Sequence, residues 1–222
     1  MSERTALRSA SACGIVGVAV YVFAVVLGGL LDPAYSQAKQ TISELTGAGA
    51  PHRELLAPLF ILYNVLIAAF GYLLHRAIPR DRLIAGATLL LGLSGIAGIL
   101  LVTLLPTDLR GATPTMAGTL HIVVAGLASL LTVGVTFVLG VAFGRVGLLR
   151  PLSFGTLLAG IAILASGPVT AVAVATNDPV QGVFERITIG LFLLWVWSVS
   201  VFLLLDEESA GAFGPRARAV RL

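Results

Sequence analysis

The chain has 222 residues, a mean hydropathy of +0.99 and only 11% charged residues. Soluble domains carry about 25% charged residues, so this composition excludes an ordinary water-soluble fold and favours a protein embedded in lipid. The formal net charge of +3 is small, and the basic residues are scattered over short segments without an aromatic and basic face, which argues against nucleic acid as a partner.

Six apolar stretches are long enough to cross a bilayer, for which a helix needs about 20 residues. They lie at approximately residues 13–31, 55–78, 83–105, 114–143, 152–175 and 183–205. Because the second and third spans, and the fourth and fifth, are joined by short segments, we predict an all-α polytopic membrane protein, a six-helix up-down bundle. The expected organisation is a cytoplasmic tail at 1–11, a transmembrane domain at 12–205 and a second cytoplasmic tail at 206–222. The first stretch is longer than the core of a typical signal peptide, so we favour an uncleaved anchor over cleavage near Ala34.

The basic residues are divided unequally between the two sets of loops. Ten arginines fall on the side of the termini, and only Lys39, Arg53, Arg110 and Arg186 fall on the other side. Cytoplasmic loops are enriched in Lys and Arg, so this pattern places both termini in the cytoplasm. We expect a multi-pass protein of the bacterial cytoplasmic membrane whose first, third and fifth loops are extracytoplasmic.

The first extracytoplasmic loop contains the polar stretch TISELTGAGAPHR, at residues 41–53. Three apolar residues recur at helical spacing within 36–45, and Gly47 follows where a C-terminal cap is expected. We therefore predict a short interfacial helix at 36–45 that acts as a lid over the outer end of the bundle.

The outer ends of the fourth and sixth spans each carry an ionisable side chain. Thr113 and Pro114 resemble an N-cap followed by proline at the first helical position, which places His121 about 10 Å into the fourth helix. In the sixth span, Glu185 and Thr188 have the spacing of one helical face. Ionisable groups at this depth should face the bundle or a wet cavity, because exposure to lipid is costly.

We predict that these polar groups converge on one outward-facing pocket, which binds or acts on an amphiphile or lipid headgroup from the outer leaflet. His121 is the candidate catalytic base, oriented by the carboxylate of Asp108. A positioned guanidinium would contact an anionic or ester headgroup. The predicted substrate-binding residues are Ser43, Glu44, His52, Glu185 and Arg186.

Four short motifs occur in a fixed order along the chain: TISEL at 41–45, LPTD at 105–108, Gly118-x-x-His121, and GVFER at 182–186. Together with six spans, they give a sequence that resembles the bacterial membrane family catalogued as domain of unknown function 998, over roughly residues 12–205. Thr46 stands where glycine is expected in many members, and Glu185 stands where glutamine is common. The resemblance implies a six-helix membrane fold and almost no chemistry.

Other functional classes remain beside the amphiphile pocket. One alternative is a metal-dependent membrane hydrolase, because two imidazoles and two carboxylates could hold zinc with an open position for water. No H-x-x-x-H or H-E-x-x-H is present, so we predict no cofactor. The single cysteine, Cys13, excludes a disulfide within the chain. A structural or accessory subunit of a membrane complex, with a protein partner, is a further alternative, and the sequence does not decide whether the protein is an enzyme. The four candidate zinc ligands are His52, Asp108, His121 and Glu185.

Overall fold

The computed structural model of the chain describes residues 2–77, 82–145 and 149–213. Within these residues the protein consists of six α-helices and a short 3₁₀ helix at Ser43–Thr46, without strands. Each α-helix is long and apolar enough to cross a membrane, which confirms the prediction of an all-α, six-span membrane protein. The helices are α1 (Glu3–Leu31), α2 (Arg53–Ala77), α3 (Arg82–Thr103), α4 (Met116–Phe143), α5 (Arg150–Ala175) and α6 (Gln181–Phe213).

Two helices extend beyond the apolar stretches that revealed them. α1 begins at Glu3 because the Ser2 hydroxyl accepts the Thr5 N–H at 3.2 Å, and the strong helix formers of the first turns continue into the span. Most of the segment separated above as an N-terminal tail is therefore helical. α6 likewise continues to Phe213, beyond the predicted boundary at residue 205, and residues 214–222 of the second tail lie outside the described residues.

The six helices form a ring in chain order. Each packs mainly against its neighbours in sequence, and α6 closes the ring against α1. We call the three connections at one end of the ring L1 (residues 32–52), L3 (104–115) and L5 (176–180). This end is the loop end, and the opposite end, where α1 begins, is the terminal end.

The backbones of α2 and α3 approach each other closely at two glycines. A Cβ added to Gly71 would come within 2.7 Å of the Thr88 carbonyl oxygen, and one added to Gly95 within 2.5 Å of the Asn64 carbonyl oxygen. Neither neighbour can give way, since both are helix backbone. Glycine at these positions allows the two helices to pack closely. In lipid the hydrophobic effect does not drive helices together, so close packing at small residues contributes to their association.

Packing differs between the two halves of the ring. Most of the largest fully buried side chains lie in the terminal half, among them Phe70, Leu74, Leu139 and Phe143, each at most 1% exposed. In the loop half of α4, by contrast, most residues are exposed or only partly buried. The ring is therefore packed solidly at the terminal end and more openly toward the loops.

Candidate functional site

A cavity of about 370 Å³ occupies the loop half of the ring. All six helices contribute to its wall, and residues of L1 and L3 cover its loop end. The volume lies in the range of about 300–1,000 Å³ that is typical of small-molecule sites. Of the predicted site residues, Ser43, His121 and Glu185 line this cavity, whereas Glu44, His52, Asp108 and Arg186 do not.

Glu185 is the acidic side chain of the cavity wall. It lies four residues after the start of α6, about 6 Å from the helix end at 1.5 Å per residue. Its Oε2 accepts the backbone N–H of Ile42 in L1, so the carboxylate also holds the roof of the cavity in place. Among the described residues, no Lys, Arg, Asp or second Glu lines the cavity with it.

His121 lies on α4 and lines the same cavity as Glu185. Its Nδ1 lies 2.6 Å from the carbonyl oxygen of Leu105, and a carbonyl only accepts, so Nδ1 carries the proton and donates it. In the neutral ring, Nε2 keeps its lone pair and can accept a hydrogen bond or a proton from a ligand. The His121 ring is therefore oriented by the carbonyl of Leu105. Asp108, which was predicted to orient it, makes other bonds.

Asp108 instead organises the start of α4. Its two carboxylate oxygens accept the backbone N–H and the hydroxyl of Thr115, each at 2.8 Å, and that hydroxyl in turn accepts the N–H of Gly118 at 3.0 Å. The N-cap of α4 is therefore Thr115. The predicted N-cap at Thr113, with Pro114 as the first helical residue, is wrong because Asp108 binds Thr115 and the helix begins after it. A Cβ on Gly118 would collide with the Asp108 carboxylate.

The predicted interfacial helix at 36–45 is not formed, and only the 3₁₀ helix at Ser43–Thr46 is present. The carbonyl groups that such a helix would use are bonded elsewhere: the Ala38 oxygen accepts the Gly182 N–H at 2.9 Å, and the Lys39 oxygen accepts from Arg110 at 3.0 Å. The Ile42 N–H donates to the carboxylate of Glu185. Long-range bonds to α6 and L3 thus replace the local helical pattern.

Glu44 is a buried hub within L1, 4% exposed. Its carboxylate accepts the Thr41 N–H and the Arg110 N–H, both at 2.9 Å, and the Thr41 hydroxyl at 3.1 Å. The Gln181 side-chain amide of α6 donates to it at 3.5 Å. Glu44 therefore connects L1 to L3 and to α6 rather than facing the cavity.

Three arginines fasten L1 to its surroundings through backbone carbonyl groups. Arg53 donates to Thr46 of L1 and to Val102 of α3, the latter at 2.7 Å. Arg110 donates to Lys39 of L1 and to the L5 carbonyl groups, and Arg186 donates to Gln40 of L1 at 2.9 Å. Arg53 and Arg110 were not among the predicted site residues, since their partners are distant carbonyl groups that no local pattern marks.

Arg186 is further held by Tyr35 of L1. Its Nη2 donates to the Tyr35 hydroxyl at 2.6 Å, and its guanidinium carbon lies 5.6 Å from the ring centroid. Burial raises the pKa of Tyr35 to about 12, although the neighbouring Arg186 acts to lower it. The phenol therefore keeps its proton and donates to the Thr41 carbonyl at 2.8 Å.

His52 lies on the other side of L1, away from the cavity. Its Nε2 is 3.1 Å from the carbonyl oxygen of Leu31 at the end of α1. The four residues considered for zinc are thus not assembled around one point. Within the residues that the structure describes, no three His, Cys, Asp or Glu side chains are close enough to hold a metal ion.

An aromatic cluster in the cavity wall was not predicted from the sequence. Tyr21 packs edge-on against Phe60 and Tyr63, with ring centroids 5.2 and 4.7 Å apart. Both tyrosines are only 7% exposed, and neither hydroxyl has a hydrogen-bond partner among the described residues. Buried tyrosine hydroxyls usually find a partner, so these two groups are available to a molecule in the cavity.

Comparison with known proteins gives one family. A family model described as "Protein of unknown function (DUF998)" matches residues 15–201, most of the chain. No curated protein and no solved structure matches the sequence.

Proposed function

The chain belongs to the DUF998 family of proteins of unknown function, and we propose that it is an integral membrane protein whose cavity binds one amphiphile. The observation that carries the proposal is the cavity itself, which lies inside a ring of membrane-spanning helices and is polar at its loop end. The polar headgroup lies near Glu185 and His121, beneath L1. The hydrocarbon chain extends toward Ile67 and Ile163, deeper in the ring.

The deeper part of the cavity suits a hydrocarbon chain even though several hydroxyl groups line it. Ser94 donates to the Leu91 carbonyl at 2.7 Å and Thr132 to the Ala128 carbonyl at 3.0 Å. Because these hydroxyl protons are used within their own helices, the lower wall offers few free donors to a ligand. Hydrocarbon can occupy such a space without leaving a donor unsatisfied.

Entry is lateral, from the bilayer. Only three residues of the described cavity wall are also classed as exposed: Ile122 and Gly126 on α4, and Ala171 on α5. Their exposure supports an opening between the loop halves of these two helices, where a Cβ on Gly126 would meet no atom within 4 Å. Since L1 covers the loop end, an amphiphile reaches the cavity from the surrounding lipid.

Native mass spectrometry of the protein released from lipid nanodiscs tests this function. We expect one amphiphile to remain bound after the bulk lipid has dissociated, since the bound chain is enclosed by the ring. A protein that retains no small molecule, or that instead retains a protein partner, contradicts the proposal and favours an accessory subunit.

We place the protein in the bacterial cytoplasmic membrane with both termini in the cytoplasm, and the distribution of ten basic residues against four supports this orientation. Topology reporters fused after Gly49 and Gly111 should then report an extracytoplasmic position, and those after Arg80 and Gly147 a cytoplasmic one. The reverse pattern would place the cavity in the cytoplasmic half of the membrane.

A further inference from the structure

We infer that the bound amphiphile carries a cationic headgroup, a protonated amine, and that Glu185 is its counterion. This inference rests on the proposed function and specifies the chemical class of the ligand. The first observation is the charge of the wall: Glu185 is the one Asp, Glu, Lys or Arg among the described residues that line the cavity. A carboxylate enclosed in a membrane protein is costly unless it is paired, and a ligand cation would supply the pair.

Neighbouring cations fill that role only in part, because Arg186 acts on Glu185 electrostatically without forming an ion pair with it. Neither Glu185 nor Glu44 forms an ion pair with a described residue. Arg186, next to Glu185 in sequence, donates to the carbonyl groups of Gln40 and Gly182 and to Tyr35, on the side of α6 that packs against L1. The guanidinium is therefore directed into L1 and is not placed to receive an anionic headgroup in the cavity.

The polar groups of the cavity include two that only accept, the Glu185 carboxylate and the His121 Nε2 atom. The Glu185 carboxylate accepts the backbone N–H groups of Ile42 and Ser43 and keeps further lone pairs, and His121 keeps an Nε2 lone pair. The hydroxyl groups of Tyr21 and Tyr63, which can accept as well as donate, are also without a described partner. An ammonium group has three donors and no acceptor, so it complements this set better than a sulfate or phosphate, which has only acceptors.

The aromatic rings of the cavity wall also favour a positively charged ligand. Tyr21, Phe60, Tyr63 and Phe192 all line the cavity. Ring faces attract a desolvated cation electrostatically, and they offer nothing comparable to an anion. A carboxylate combined with aromatic rings therefore favours an amine over neutral and anionic headgroups.

Three single-chain probes with the same hydrocarbon chain test the inference: n-decylamine, n-decanol and n-decyl sulfate. Native mass spectrometry of wild-type protein in nanodiscs gives the occupied fraction over a titration of each probe. We expect n-decylamine to bind about tenfold more tightly than either of the others, and we expect Glu185→Gln to remove this difference. The glutamine oxygen can still accept the Ile42 N–H, so the roof contact is kept, and retained binding of n-decanol shows that the variant is folded.

The outcomes separate this inference from the proposed function. If n-decanol or n-decyl sulfate binds wild type as tightly as n-decylamine, or if Glu185→Gln keeps the preference, the cationic headgroup is wrong while the amphiphile site stands. If none of the three probes binds, the proposed function itself is overturned.

Discussion

Replacement of Glu44 by alanine is expected to lower the melting temperature of the protein by roughly 6–12 °C. The carboxylate is the buried acceptor for the backbone N–H groups of Thr41 and Arg110, both at 2.9 Å. Leaving a buried donor unsatisfied costs about 1–3 kcal/mol, so two such donors give about 3 kcal/mol. For a chain of this size, 1 kcal/mol corresponds to about 2–4 °C.

The matched control is Glu54→Ala, which removes the same charge near the same end of the ring. Glu54 is exposed at the start of α2, so its replacement should change the melting temperature by no more than about 2 °C. Hydrogen exchange should also accelerate over residues 37–48 in Glu44→Ala and not in the control. Equal melting temperatures and equal exchange in the two variants would show that Glu44 is not the hub of L1.

Gly126→Phe is expected to lower the fraction of protein that retains an amphiphile by about tenfold or more. A Cβ at Gly126 meets no atom within 4 Å, so the helix accepts a side chain there. The phenyl ring then occupies the opening between α4 and α5 and prevents entry of the hydrocarbon chain. The measurement is the occupied fraction in native mass spectrometry after nanodisc reconstitution.

Gly190→Phe is the matched control for this variant. Gly190 is exposed at a similar depth in α6, it has open space around it, and it does not line the cavity. The same phenyl ring there should leave the occupied fraction unchanged. Equal occupancy in Gly126→Phe and Gly190→Phe would exclude the α4–α5 opening as the route of entry.

The six spans follow from the sequence because lipid imposes a simple requirement. A helix that crosses the bilayer must be apolar over about 20 residues, and that property is local and independent of its neighbours. Membership in the resembled family and the all-α fold were predicted for the same reason, since both are carried by long apolar stretches and short motifs at their ends.

In L1 the local sequence pattern did not predict the secondary structure correctly. The periodicity of 36–45 predicts a helix, but the Ala38 carbonyl bonds Gly182 and the Ile42 N–H bonds Glu185, both on α6. These partners are more than 140 residues away in sequence. The tertiary contacts therefore override the helical pattern, and the roles of Arg53 and Arg110 were missed for the same reason.

The cavity could not be predicted from the sequence either, because its volume depends on how six helices close into a ring. His121 and Glu185 were predicted from their position near outer helix ends and Ser43 from the polar first loop, and all three do lie in its wall. Tyr21 and Tyr63 lie in the middle of their helices, where aromatic residues are usually core. The only available signal was their hydroxyl groups, which need partners in a membrane interior.

Photocrosslinking with a single-chain amphiphile that carries a diazirine at the end of its chain tests the central claim most directly. If the chain lies inside the ring, adducts form on the deep cavity wall, at Ile67, Ile163 or Phe192, in wild type and are lost in Gly126→Phe. Adducts confined to exposed side chains on the outer surface, such as Phe23, Leu130 and Phe154, would show that the amphiphile only surrounds the protein and would contradict the account.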